Sequence, residues 1–226
     1  MEKLPVIFVS CNAANISAAG QIGAGPARMT QGKSVTGVIL MSVVDERADD
    51  RDVEISGRGH TFDATIQRLE QANVSVHMSE GSRSDRERLL RALIGELPAE
   101  LVDVRLVRGM EESLYRRVGV ALESLRREGG LVVCLDDRSE PTSGVMDSLN
   151  DEELREAVNG WVRDCQWESV MSFRSKSDGG TVRLTDPRIC LLKAAFFLGG
   201  STFPQRMFNS GLNSVEHSMF GFGWTR

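Results

Sequence analysis

Asp136 and Asp137 stand at the end of Leu131-Val132-Val133-Cys134-Leu135, a short and uniformly apolar run. Such a run reads as a buried strand. Open α/β sheets place their ligands at the carboxyl ends of the strands. The two carboxylates are therefore the candidate catalytic pair, and Asp136 is the candidate metal ligand, for a magnesium ion held directly or through water. The competing role is local. In Asp-Asp-Arg-Ser the carboxylates can also cap the backbone N–H groups of a strand-ending turn.

Other polar residues join this pair if the neighbouring strands run parallel to it. Glu80 and Ser82 follow the strand-like Val74–Met78, and Arg108 follows Leu101–Val107. Together with the aspartates they would place carboxylates, a hydroxyl and a guanidinium around one crevice. That set suits a small anionic, nucleotide-like ligand.

Ala27-Arg28-Met29-Thr30-Gln31-Gly32-Lys33-Ser34 fits the loose phosphate-loop pattern, in which Lys33 would be a ligand-binding lysine. The context opposes it. A phosphate loop leaves a strand and enters a helix, whose N-terminus supplies the anion site. Here Gly- and Ala-rich chain precedes the motif, and β-branched residues that read as a strand follow it. Gly20-Gln21-Ile22-Gly23-Ala24-Gly25 lacks the spacing of a dinucleotide fingerprint. His60 and Cys134 could form a hydrolase dyad only if the thiol were exposed and acidic, and Cys134 sits inside an apolar run. The four cysteines, Cys11, Cys134, Cys165 and Cys190, are too scattered for a zinc site or a disulfide framework.

The elements that must position these residues alternate. Leu4–Ser10 and Ser34–Val44 read as strands, and Val53–Ile55 as a short edge strand. Thr61 or Asp63 is placed to cap a helix that carries Phe62, Ile66 and Leu69 on one face. Ser84 is placed to cap a second, with Leu89, Leu90, Leu93, Ile94 and Leu97 at helical spacing before Pro98. A third runs from Met110 to Arg127 and ends at Gly129-Gly130. Short helix–strand connections repeated three times favour right-handed parallel crossovers.

The expected fold is thus a three-layer α/β sandwich with a mostly parallel sheet and a small C-terminal α+β extension. Its 226 residues suit one domain, a core at 1–149 and an extension at 150–226. That extension would hold a helix from Asn150, a hairpin over 167–184, a helix at 188–198 and an aromatic tail. The Gly-rich stretch 12–33 reads as a long loop or lid.

Charge narrows the partners. Lys3, Lys33, Lys176 and Lys193 are lysine and all other basic residues are arginine, yet the net charge is −5. Most arginines alternate with acids, as on a solvated helix face, which argues against a nucleic-acid surface. No apolar stretch approaches the roughly 20 residues of a bilayer span, and no leader pattern opens the chain, so a cytoplasmic protein is expected. Six of nine phenylalanines fall in the last 31 residues. Phe220, Phe222 and Trp224 lie in a segment too Gly-rich for a helix and too apolar for a free tail. They either fold back over the core or dock on a partner such as a second copy. The alternative to a ligand-binding protein or enzyme is accordingly a non-catalytic, oligomer-forming assembly protein, of viral or phage type, that uses this tail.

Overall fold

The structure is a computed structural model that describes residues 3–11, 30, 33–44, 52–79, 87, 90–91, 100–107, 112–137, 187–202, 205–206 and 218–223. The strands are β1 (Val6–Cys11), β2 (Gly37–Val44), β3 (Val53–Ser56), β4 (Val76–Met78), β5 (Glu100–Val107), β6 (Gly130–Asp137), β7 (Gln205–Arg206) and β8 (Ser218–Phe222). The helices are α1 (His60–Gln71), α2 (Glu112–Glu123), continued by a 3-10 turn over Ser124–Arg127, and α3 (Pro187–Leu198). Of the expected second helix, Glu87, Leu90 and Arg91 are helical. The expected helix from Asn150, the hairpin over 167–184 and, apart from residues 30 and 33, the lid at 12–33 lie outside the described residues.

All eight strands form one sheet in the order β4-β3-β5-β2-β6-β1-β8-β7. Its centre, β5-β2-β6-β1, is parallel throughout. Alternation along these strands sorts their side chains onto two faces. Val6, Phe8, Ile39, Met41, Val102, Val104, Leu106, Val132 and Cys134 face the helices and join Leu114, Tyr115, Val118, Leu122, Leu191, Leu192 and Leu198 in one buried cluster. Ile7, Val9, Val38, Leu40, Leu131, Val133 and Leu135 face the other way and are no more than 2% exposed. Both faces are buried, as a three-layer α/β sandwich requires, which is why these strands read as continuous apolar runs. Helices α2 and α3 pack closely at Gly119, where a Cβ would meet Phe197 and the Ala194 carbonyl.

Three sequence expectations change in the flanks. Val53–Ser56 is not an edge strand, because β4 lies outside it. It runs antiparallel to β5, so the strand pair β3–β4 is reversed relative to the central four. The cap of α1 is neither Thr61 nor Asp63. Glu100, at the start of β5, accepts from the His60 and Thr61 backbone N–H groups at 3.0 and 2.8 Å and from the Thr61 hydroxyl. These bonds, led by that hydroxyl, hold the Glu100 carboxyl below its ordinary range.

The C-terminal elements complete this same sheet. β8 runs antiparallel to β1, from Val6 opposite Phe222 to Ser10 opposite Ser218. The backbone of Phe220 and Phe222 is therefore engaged within its own chain. Trp224 lies outside the described residues.

Candidate functional site

The carboxyl ends of β1, β2, β5 and β6 come together at one edge of the central sheet. There the sheet divides. Pairing of β2 with β6 ends at Met41 opposite Cys134. Beyond that point β2 stays with β5 as far as Val44 opposite Val107, and β6 stays with β1 as far as Cys11 opposite Asp137. A fork three residues deep opens between the two pairs, about 10 Å at the usual rise per residue. Ser42, Val43 and Val44 form one wall, and Leu135, Asp136 and Asp137 the other.

The local sequence accounts for the burial at this place. Apolar residues fill β6 up to Leu135, and the two carboxylates follow where the strand emerges. Asp136 is half-buried and, by alternation from Val132 and Cys134, lies on the helix-covered face. Ser42 is 6% exposed and lies on the opposite face, next to Leu40. The fork thus has a carboxylate position on one side and a buried hydroxyl on the other. A carboxylate in such a place can accept hydrogen bonds from ligand hydroxyls or share a hydrated divalent cation.

Of the other expected members of the site, Lys33 alone lies among the described residues. Lys33 leads into β2, whose first residue, Gly37, pairs with Gly130 at the start of β6. It therefore sits at the amino ends of the strands, roughly 20 Å or more along the sheet from Asp136. Residues 34–36 are not helical and lead directly into β2, so the phosphate-loop context is missing. Glu80 and Ser82 were expected at the crevice on the premise that their strand is parallel to the others. β4 is parallel to β3, which is antiparallel to β5, so the chain leaves β4 toward the amino ends of the central strands. Residues 80 and 82 themselves lie outside the described residues. Arg108 also lies outside them, but it follows Val107 at the carboxyl end of β5.

The His60–Cys134 pair does not form a dyad. Cys134 is fully buried opposite Met41, and burial pushes its thiol well above the ordinary range. His60 is exposed at the start of α1, beside Glu100 at the amino end of β5. Among the described residues no group of three or more His, Cys, Asp or Glu side chains is placed to hold a metal ion. No described helix is long and apolar enough to cross a membrane.

Reasoning from sequence missed a second polar cluster. Arg105 donates through Nε to Asp103 at 3.1 Å and through Nη1 to Glu54 at 3.3 Å, on the sheet face away from the three long helices. Its signal was present: two charges at alternate positions of the otherwise apolar Leu101–Val107.

The chain is an α/β protein with a mostly parallel sheet. No protein-family model matches it, and no curated protein does. It is similar in structure to the uncharacterized protein JW3007 from Escherichia coli K12. The TM-score is 0.60 at 12% sequence identity, over 98% of this chain and 100% of that one. At that identity the likeness concerns the fold alone.

Proposed function

We propose that the protein is an α/β ligand-binding protein or enzyme that takes a small anionic, nucleotide-like molecule into the fork between β2 and β6. Asp136 and Asp137 do not attract an anion themselves. They suit it through a bridging magnesium ion, which is commonly held by one or two carboxylates together with substrate phosphates. Arg108, next after β5, is the cation best positioned along the chain to meet the ligand's charge. One observation carries this proposal: β2 and β6 stop pairing at Met41 and Cys134 while each continues beside its other neighbour. Parallel sheets of this class hold ligands where adjacent strands part at their carboxyl ends.

The test is a thermal-shift series on the full chain with ATP, GTP and a sugar phosphate, each with and without Mg²⁺. A magnesium-dependent rise in melting temperature supports the proposal, since a ligand that binds only the folded state stabilises it by mass action. No rise with any of these probes, together with a melting temperature that climbs with protein concentration, favours an assembly protein instead.

A further inference from the structure

The sheet face away from the three long helices carries a row of polar residues across four strands. Ser42 on β2 stands opposite Arg105 on β5, Arg105 opposite Glu54 on β3, and Glu54 opposite His77 on β4. One step along, Asp103 stands opposite Ser56. Ser79 follows β4, and its N–H extends the ladder by donating to the Ile55 carbonyl at 2.9 Å. Ser79 therefore comes beside Ser56, across a spacing of about 4.8 Å between strands.

Several groups in this cluster have bonding capacity left over. Ser56 is 4% exposed, and its Oγ is buried with no hydrogen-bond partner. The Ser79 Oγ is likewise buried and unpartnered. Among the described residues Arg105 uses Nε and Nη1 but not Nη2, and Glu54 uses Oε1 but not Oε2. Buried hydroxyls in folded proteins are nearly always bonded, so two neighbouring orphans call for an explanation. Neither is needed for the fold, since Ala would fill either position without leaving a polar atom unsatisfied.

We infer that Glu54, Ser56, Ser79 and Arg105 form a binding site for a small neutral polyhydroxyl compound, a sugar or polyol, which neighbours the fork at Ser42 but shares none of its residues. The chemistry selects that class. Among the described residues Asp103 and Glu54 outnumber Arg105 in charge, which disfavours an anion. Arg105 lies between the two carboxylates, and the described residues hold no metal-ligating cluster, which disfavours a cation. The unused groups are a donor, an acceptor and two hydroxyls able to act as either. Adjacent ligand hydroxyls match that mixture: one accepts from Arg105 Nη2 and donates to Glu54 Oε2, and its neighbour exchanges bonds with Ser56 and Ser79. Access is from the Glu54 side, where the side chains of Glu54 and Arg105 are 27% and 18% exposed, against 6% for Asp103.

The experiment is saturation-transfer NMR on the full chain with myo-inositol, glucose and glycerol; inorganic phosphate and ammonium, as probes of the rejected classes, are followed by thermal shift. At least one ring polyol should receive saturation. Ser56→Ala and Ser79→Ala should each weaken that binding roughly five- to tenfold, as expected for one lost hydrogen bond. Each variant should melt no lower than wild type without polyol, because an unsatisfied hydroxyl has been removed. Asp136→Asn should leave polyol binding unchanged, which separates this site from the fork. Three results would overturn the inference: no saturation of any polyol, binding of phosphate or ammonium alone, or polyol binding indifferent to both serine substitutions.

Discussion

Arg126 donates through Nη2 to the carbonyl of Gly223, a residue 97 positions later, at 3.0 Å. The same guanidinium donates through Nε to Leu4 O and through Nη1 to Leu198 O, both at 2.6 Å. One buried side chain thereby ties together the lead-in to β1, the carbonyl-rich end of α3 and the exit from β8. The helix end is a favourable neighbour for a cation. Burial nevertheless pulls the guanidinium down to about 10. Gly223 has φ +64, and a Cβ there would overlap Arg126 Nη2, so both residues are specified by this junction.

Replacing Arg126 removes the donor from two buried carbonyls, of Leu4 and Leu198, each at a cost of roughly 1–3 kcal/mol, and from the part-buried carbonyl of Gly223. Arg126→Leu should therefore lower stability by several kcal/mol in chemical denaturation. Arg126→Lys should recover only part of it, because an ammonium lacks the planar fork that reaches three diverging acceptors. A leucine variant as stable as wild type would show that the junction is unimportant.

Removal of residues 219–226 takes β8 from β1 and exposes the β1 backbone along one edge. The melting temperature should fall at every protein concentration, because the tail's pairing is within its own chain. If truncation instead abolished a concentration-dependent melting temperature, the tail would be docking on a neighbour through Phe220, Phe222 and Trp224.

Glu100 caps α1 from another strand, so Glu100→Ala should cost about 1 kcal/mol, as a lost N-cap does. Hydrogen bonds from Thr61 depress its folded value below the ordinary 4.5. The stabilising contribution is then fully present above pH 4.5 and is lost as pH falls through the folded value. A stability difference between wild type and Glu100→Gln that stayed constant from pH 7 down to pH 3 would refute the assignment.

The Cys134 thiol is buried and its ionisation is suppressed. Native protein treated with iodoacetamide at pH 8 should leave this cysteine unmodified by peptide mass spectrometry, while unfolded protein should be alkylated there. Rapid native labelling at Cys134 would reopen the case for a nucleophile.

The order from β1 to β6 was legible because those strands are apolar or alternating runs and α1 and α2 carry a three-and-four spacing. Helix α3 was legible as an apolar helix, whereas β7 and β8 did not read as strands. What sequence could not show was direction and partnership. Nothing in Val74–Met78 reveals that β4 follows a reversed β3, so that the chain leaves β4 toward the amino ends of the central strands. The α1 cap escaped notice because its carboxylate, Glu100, lies 40 residues from His60, beyond any local capping pattern. The Arg126 junction joins residues 122, 72 and 97 positions apart and has no local signature. Asp136 and Asp137 were legible as a strand end. The fork beside them depends on where a ladder between two distant strands stops.

The most direct test of the central claim compares wild type with the double variant Asp136→Asn, Asp137→Asn in calorimetric titrations with ATP and GTP in the presence of Mg²⁺. The account predicts magnesium-dependent binding by wild type, lost in the double variant, whose melting temperature stays close to that of wild type. Binding of equal strength in both proteins would contradict it. So would a double variant that binds as well as wild type and loses on the order of 1 kcal/mol of stability, as carboxylates that merely cap a turn would.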